Sequence, residues 1–114
     1  MGYLNTKRGS LSFLVSNFVY ILYSESLDLF YKGQTNDLSD RVNRHNLRQE
    51  KATQNGVPWK LVWSAEKPSR SEAVVLELKL KNLSRKRLVK FMLKYPDNIA
   101  GPDEFLLMEK LSGC

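Results

Sequence analysis

Short apolar runs separated by polar breaks mark the first half of the chain as strand-forming. The run "FVYILY" at residues 18–23 is aromatic and β-branched, as a buried or half-buried strand requires. "SESLD" reads as a polar turn and residues 29–34 as the returning arm, so the pair predicts an antiparallel hairpin. Tyr20 and Tyr31 stand in opposite arms, within cross-strand or diagonal reach of each other. Gly33 closes the second arm, where a missing side chain lets backbone or ligand approach.

Helical periodicity follows. Thr35, Asn36 and Asp37 are N-cap candidates for a helix over about 38–48. At 100° per residue, Arg41, Arg44, His45 and Arg48 fall within one arc of roughly 100°, bordered by the core-facing Leu38 and Val42. A basic stripe beside a core edge is placed to line a cleft. "QEKATQNGVP" is a polar loop ended by Pro58. "WKLVWS" alternates Trp59, Leu61 and Trp63 against Lys60 and Val62, the pattern of a third strand.

Ser69 or Ser71 can cap a second helix over about 72–82, and Ser84 a third that Pro96 stops. Leu88, Phe91, Met92 and Tyr95 form the inward face of the third helix; Arg85, Lys86, Arg87, Lys90 and Lys94 lie opposite. Residues 96–114 are an acidic tail, either a short helix near 104–111 or a loosely attached segment. The outline is ββαβαα, an α+β fold with a small three-stranded sheet, mixed or antiparallel, flanked by three helices. An extension (1–16) and the tail (96–114) bracket a domain over 17–95.

Length and composition narrow the chemistry. At 114 residues the chain fits one compact domain. The only Cys is the last residue, which removes disulfide frameworks and Cys-based zinc sites and points to a reducing, cytoplasmic setting. The only His, His45, removes multi-His metal sites and Cys–His pairs. Catalysis is left to Tyr, Arg, Lys, Ser and carboxylates. "KRGSLSFLVSNFVYILY" resembles a signal peptide in outline, but polar residues break the run, no small-residue cleavage site follows, and it is too short for a bilayer. No membrane association is expected, and a monomer is favoured.

The net charge of +6 is localised. Arg70 to Lys94 carries eight basic residues against Glu72 and Glu77, an excess equal to that of the whole chain. Such a surface fits a polyanion, most often nucleic acid; a solvated helix face is the plainer alternative.

One carboxylate stands out. On the second helix Ala73, Leu76, Leu80 and Leu83 form an apolar strip, and Glu77 lies beside it. A carboxylate there needs a partner, a shifted pKa or a cation. A Glu that snorkels outward or pairs with Lys81 at i+4 is the simpler outcome. The other outcome is one Mg²⁺ or Mn²⁺, which keeps its waters and shares phosphate oxygens of a substrate. Metal, arginine and tyrosine together suffice for phosphodiester hydrolysis: charge neutralisation, transition-state stabilisation, and orientation or deprotonation of water.

With these residues in place, the chain resembles the GIY-YIG endonuclease superfamily, most closely its small standalone bacterial members. Phe18-Val19-Tyr20 and Tyr31-Lys32-Gly33 resemble the two motifs, and "GQTNDLSDRVNRHN" the motif helix. "WKLVWS" resembles the third strand, and "SEAVVLELKLKNLSRKRLVKF" the segment with the metal-binding glutamate and the basic helix after it. The likeness spans about residues 18–95. Phe and Val replace Gly and Ile in the first motif, and Gln34 stands where some relatives carry a basic residue.

The resemblance implies that Glu77 ligates the metal, Arg41 contacts the scissile phosphate, and Tyr20 and Tyr31 position or activate water. His45 would be an auxiliary polar contact and Gly33 structural. Lys32, Gln34, Arg44, Arg48, Arg85, Lys86 and Arg87 are candidates for substrate binding. Asn82 stands nearest to the late asparagine of many relatives. A tyrosine base titrates near 10 and needs help, for which Lys32 and Arg41 are the nearby cations. The implied activity is cleavage of DNA to 5′-phosphate and 3′-hydroxyl ends. A non-catalytic nucleic-acid-binding module on the same scaffold is the alternative; a protein-interaction module leaves the Tyr, Arg and Glu placement unexplained.

Overall fold

The computed structural model describes residues 16–113. The expected 1–16 extension therefore lies outside the described residues except for Ser16, whose hydroxyl donates to the Glu66 carboxylate. Three strands, β1 (Asn17–Ser24), β2 (Leu29–Thr35) and β3 (Trp59–Lys67), form one sheet in the order β2-β1-β3. Both pairings are antiparallel, which settles the choice between a mixed and an antiparallel sheet. Central β1 is buried from Val19 to Ser24. That explains its unbroken apolar run, since a strand covered on both faces has no need to alternate.

Four α-helices cover the sheet: α1 (Leu38–Asn46), α2 (Arg70–Lys81), α3 (Arg85–Lys94) and α4 (Pro102–Ser112). Each of the first three starts at a side-chain cap, with Asp37, Ser69 and Ser84 accepting from backbone N–H groups three residues on. On one face of the sheet Val19, Ile21, Tyr23, Val62 and Trp63 pack with Ala73 and Leu80 of α2, Leu88, Val89 and Met92 of α3, and Met108 of α4. On the other face Tyr20, Leu22 and Trp59 pack with Tyr31, Leu61, and Leu38 and Val42 of α1.

Several expectations need revision. Helix α1 stops at Asn46 rather than near Arg48 because Arg48 adopts φ 61°. The Arg48 N–H bonds to the His45 carbonyl and the Gln49 N–H to the Arg44 carbonyl, a Schellman closure with arginine where glycine is usual. Arg48 thereby leaves the stripe. The loop 51–56 winds into a short 3₁₀ turn, Lys51–Gly56.

In β3 the alternation breaks. Ile21 pairs with Trp63 and Leu22 with Leu61, so Val62 is an extra residue in a β-bulge. The bulge turns Trp63 away from Trp59 and Leu61 to the helical face, where it meets Phe91 at 5.5 Å between ring centroids and donates to the Tyr95 carbonyl. Tyr95 itself is exposed rather than inward. Residues 102–112 are no loose tail: α4 docks on α3 with Met108 fully buried. Among the described residues no helix is long and apolar enough to cross a membrane.

Candidate active site

Strand β2 is an edge strand, and the candidate residues gather around its far end. Register places Tyr20 directly opposite Gly33. A Cβ on Gly33 would stand 2.6 Å from the Tyr20 hydroxyl oxygen and 2.7 Å from Cζ. The phenol therefore occupies the space a side chain would take. This close approach is the reason for the glycine, whose backbone needs no positive φ.

Tyr20, Tyr31 and His45 meet on the α1 face. The rings of Tyr20 and Tyr31 are 6.4 Å apart, and the His45 ring is 5.8 Å from the first and 5.0 Å from the second. The Tyr20 hydroxyl and His45 Nε2 are 2.9 Å apart, and His45 Nδ1 lies 2.7 Å from the Thr53 hydroxyl. His45 was expected on a basic stripe lining the cleft; it is buried behind the tyrosines. Arg44 turns outward and pairs with Glu50 at 3.2 Å.

Burial pushes the Tyr20 phenol up to about 12, with Tyr31 adding to the rise and the Arg41 guanidinium opposing it. The expectation that a neighbouring cation would bring this tyrosine toward neutrality fails, because burial outweighs Arg41. Tyr20 is neutral at pH 7. Burial likewise lowers the His45 pKa; Arg41 and Arg44 add to the lowering, and Glu50 opposes it.

Linkage gives a sign to both shifts. Unfolded His45 titrates near its ordinary 6.5 while the folded ring stays neutral to lower pH, so stability is complete above 6.5 and declines as pH falls toward the folded value. The raised Tyr20 contributes stability fully present below pH 10 and lost as pH rises toward about 12. Thermal melts should therefore hold level from about pH 8 to 6.5 and fall on acidification. A melting temperature that rises below pH 6.5 would contradict neutral burial of the imidazole.

Glu77 approaches from the opposite face, on α2. Its Oε1 accepts from the Gln34 amide at 2.7 Å and its Oε2 meets Lys81 Nζ at 2.9 Å. The simpler expectation, an i,i+4 pair with Lys81, is thus realised, but the carboxylate does not point into solvent: its side chain is 14% exposed. Lys32 lies on this face as well, its pKa lowered by burial and by neighbouring Lys81. Among the described residues no three His, Cys, Asp or Glu side chains cluster as a metal cage. One divalent ion on Glu77, completed by water and phosphate oxygens, is the arrangement this donor set fits.

Gln34 links the two halves. Besides holding Glu77, it lines a small polar cleft of about 180 Å³ with Asn17, Thr35, Asn36, Arg41 and Arg70. Asn36 precedes the cap of α1 and Arg70 opens α2, so two helix N-termini border the cleft, as suits an anion. Arg41 Nε is buried without a hydrogen-bond partner, a donor left over for a ligand. In the sequence Arg70 counts only as part of the basic surface and Asn17 not as a site residue; the fold brings them beside Arg41. A larger groove of about 710 Å³ lies at the other end of the sheet, between Trp59 and Leu106, away from these groups.

Four candidates lie elsewhere. Arg85 is committed to the hairpin turn, pairing with the Asp28 carboxylate at 2.7 Å, donating to its carbonyl, and covering the Phe30 ring. Lys86 and Arg87 are exposed on α3. Asn82 is the exposed C-cap of α2.

Two tyrosines and an arginine thus gather on the α1 side of the Tyr-Lys-Gly edge strand, and a glutamate reaches its other face through Gln34. The GIY-YIG catalytic-domain family model matches residues 16–91, and the chain belongs to that family. Members of that family are typically nucleases, proteins that act on nucleic acid. Among solved structures the chain is similar to a UPF0213 protein from Bacillus halodurans, determined in solution by NMR. The two share 32% identity over 80% of this chain and 93% of that one, with a TM-score of 0.47. Comparison with curated proteins gives no match.

Proposed function

We propose that this protein is an endonuclease that hydrolyses DNA phosphodiester bonds with one Mg²⁺ or Mn²⁺ ion. The observation that carries the proposal is the buried, unpaired Nε of Arg41, a residue that lines a polar cleft whose wall, Gln34, also holds Glu77. An arginine with an open donor beside a fixed carboxylate suits a phosphodiester, whose oxygens need both a hydrogen-bond donor and a cation.

Glu77 would hold the ion once Lys81 moves aside; bound there, the ion supplies neutralisation of charge on the phosphate and leaving oxygen. Arg41 donates to a nonbridging oxygen and stabilises the charge that grows there. Tyr31 is half-buried where Tyr20 is fully buried, and is the more accessible of the two to water. Tyr20, kept neutral by burial, orients rather than deprotonates. Arg70 and the two helix N-termini bind flanking phosphate, and the exposed Lys86 and Arg87 on α3 extend the basic face. Such contacts carry little sequence information.

Nicking of supercoiled plasmid in Mg²⁺, Mn²⁺ or EDTA tests the reading. Cutting is expected with either metal and none with EDTA. Retention of DNA without cutting in every metal would move the assignment to a binding module. DNA binding should also weaken steeply as salt rises from low to physiological levels, because phosphate contacts release counterions. A flat salt response would contradict the basic face.

A further inference from the structure

Behind Tyr20 the hydrogen bonds continue into the 3₁₀ turn. Thr53 is 1% exposed, and its hydroxyl lies 2.7 Å from His45 Nδ1 and donates to the Glu50 carbonyl at 3.3 Å. The Trp59 indole N–H holds the turn by donating to the Thr53 carbonyl at 2.7 Å. At the other end, the Arg41 guanidinium acts on the Tyr20 oxygen. A guanidinium only donates and a carbonyl only accepts, so the chain between them has one satisfying direction. Tyr20 O–H donates to His45 Nε2, His45 Nδ1–H donates to Thr53, and Thr53 O–H donates to Glu50. In the reverse direction the Tyr20 proton faces an N–H and a guanidinium, with no acceptor among these neighbours, which a buried hydroxyl avoids.

We propose that Thr53 is a positioning residue: its hydroxyl fixes the Nδ1–H tautomer of His45, which draws the Tyr20 proton inward and leaves the phenol lone pairs turned away from His45. Tyr20 then accepts a hydrogen bond from water beside the phosphate, turning a lone pair of that water toward phosphorus. A freely rotating phenol would donate to the water instead and occupy that lone pair. The groups facing His45 are Arg41 and Arg44 on its own helix, Glu50 in the turn, and Tyr20 and Tyr31 from the sheet. Only the catalytic consequence rests on the nuclease reading; the tautomer stands on the hydrogen-bond chain.

His45 is the sole histidine, so its two ring nitrogens can be read without ambiguity in ¹⁵N-correlated spectra of the full chain. The expected spectrum has Nδ1 protonated and Nε2 bare. In Thr53→Val, which keeps the shape but removes the acceptor, the Nε2–H form should gain population. The kcat for plasmid nicking in Mn²⁺ should fall by about tenfold, a modest share of what acid–base groups contribute, with KM unchanged. Thr53→Ser should restore the spectrum and the rate. A native spectrum with Nε2–H, or Thr53→Val with unaltered tautomer and rate, would overturn the proposal. If Thr53→Val does not fold, the native and Thr53→Ser spectra still decide the tautomer. If no form of the protein cuts DNA, the nuclease reading fails while the spectra still decide the role of Thr53.

Discussion

Glu77→Ala should lower plasmid nicking by about a thousandfold or more, since a Lewis-acid contribution of several kcal/mol is lost and each 1.36 kcal/mol is tenfold. Among the described residues no group of three or more His, Cys, Asp or Glu stands ready to take over the ion. The fold should be almost unaffected. An i,i+4 pair with a half-exposed lysine contributes only about 0.3–0.5 kcal/mol, and the Gln34 amide can turn to water. DNA retention in EDTA should persist or strengthen, because removing the carboxylate raises the positive charge of the site. Single-turnover nicking with parallel filter binding separates the two effects. Substantial metal-dependent cutting by Glu77→Ala would show that the ion is held elsewhere.

Gly33→Ala should be the most damaging small substitution on the tyrosine side. The added methyl would stand 2.6 Å from the Tyr20 oxygen, and that oxygen cannot retreat freely, since it is buried and bonded to His45 at 2.9 Å. Overpacking of this kind costs about 1–3 kcal/mol. For a domain of this size, 1 kcal/mol lowers the melting temperature by about 4–8 °C. Activity should fall further than stability, because any displacement of Tyr20 breaks its bond to His45 and disturbs its approach to Tyr31. Adding Tyr20→Phe should recover little of the stability, since the methyl would still stand 2.7 Å from the ring Cζ and His45 Nε2 would lose its partner. Full stability in Gly33→Ala alone would mean that Tyr20 has room the structure does not contain.

How much of this could be read from residues alone varies by element. The hairpin, the caps and the apolar strip of α2 depend on local chemistry: β-branched and aromatic runs, Asp and Ser before helical periods, Leu and Ala at helical spacing. These were legible. The end of α1 was not, because Arg48 takes a left-handed conformation that glycine more often fills. Trp63 was assigned to the wrong face because a bulge at Val62 is set by pairing with β1, which periodicity along β3 does not contain. Arg85 looked like one cation among five on a helix; its commitment to Asp28 depends on a residue 57 positions away in sequence. For the tail the sequence left a short helix and a loose segment both open; the helix forms, and Met108 with Leu107 and Leu111 docks it on the core.

For the site the division is similar. The sequence by itself determined which residue types were available, that a single carboxylate stands beside an apolar strip, and that two tyrosines, an arginine and a histidine follow in family order. Those are matters of composition and spacing, and covalent connectivity preserves them. Only the tertiary structure decided that Tyr20 and His45 are buried and neutral, that Gln34 ties Glu77 to the cleft, that Arg70 and Asn17 line it, and that Thr53 meets His45. Protonation, hydrogen-bond direction and unpaired donors depend on which groups are withdrawn from water together, and that is fixed when strands and helices distant in the chain close over one another.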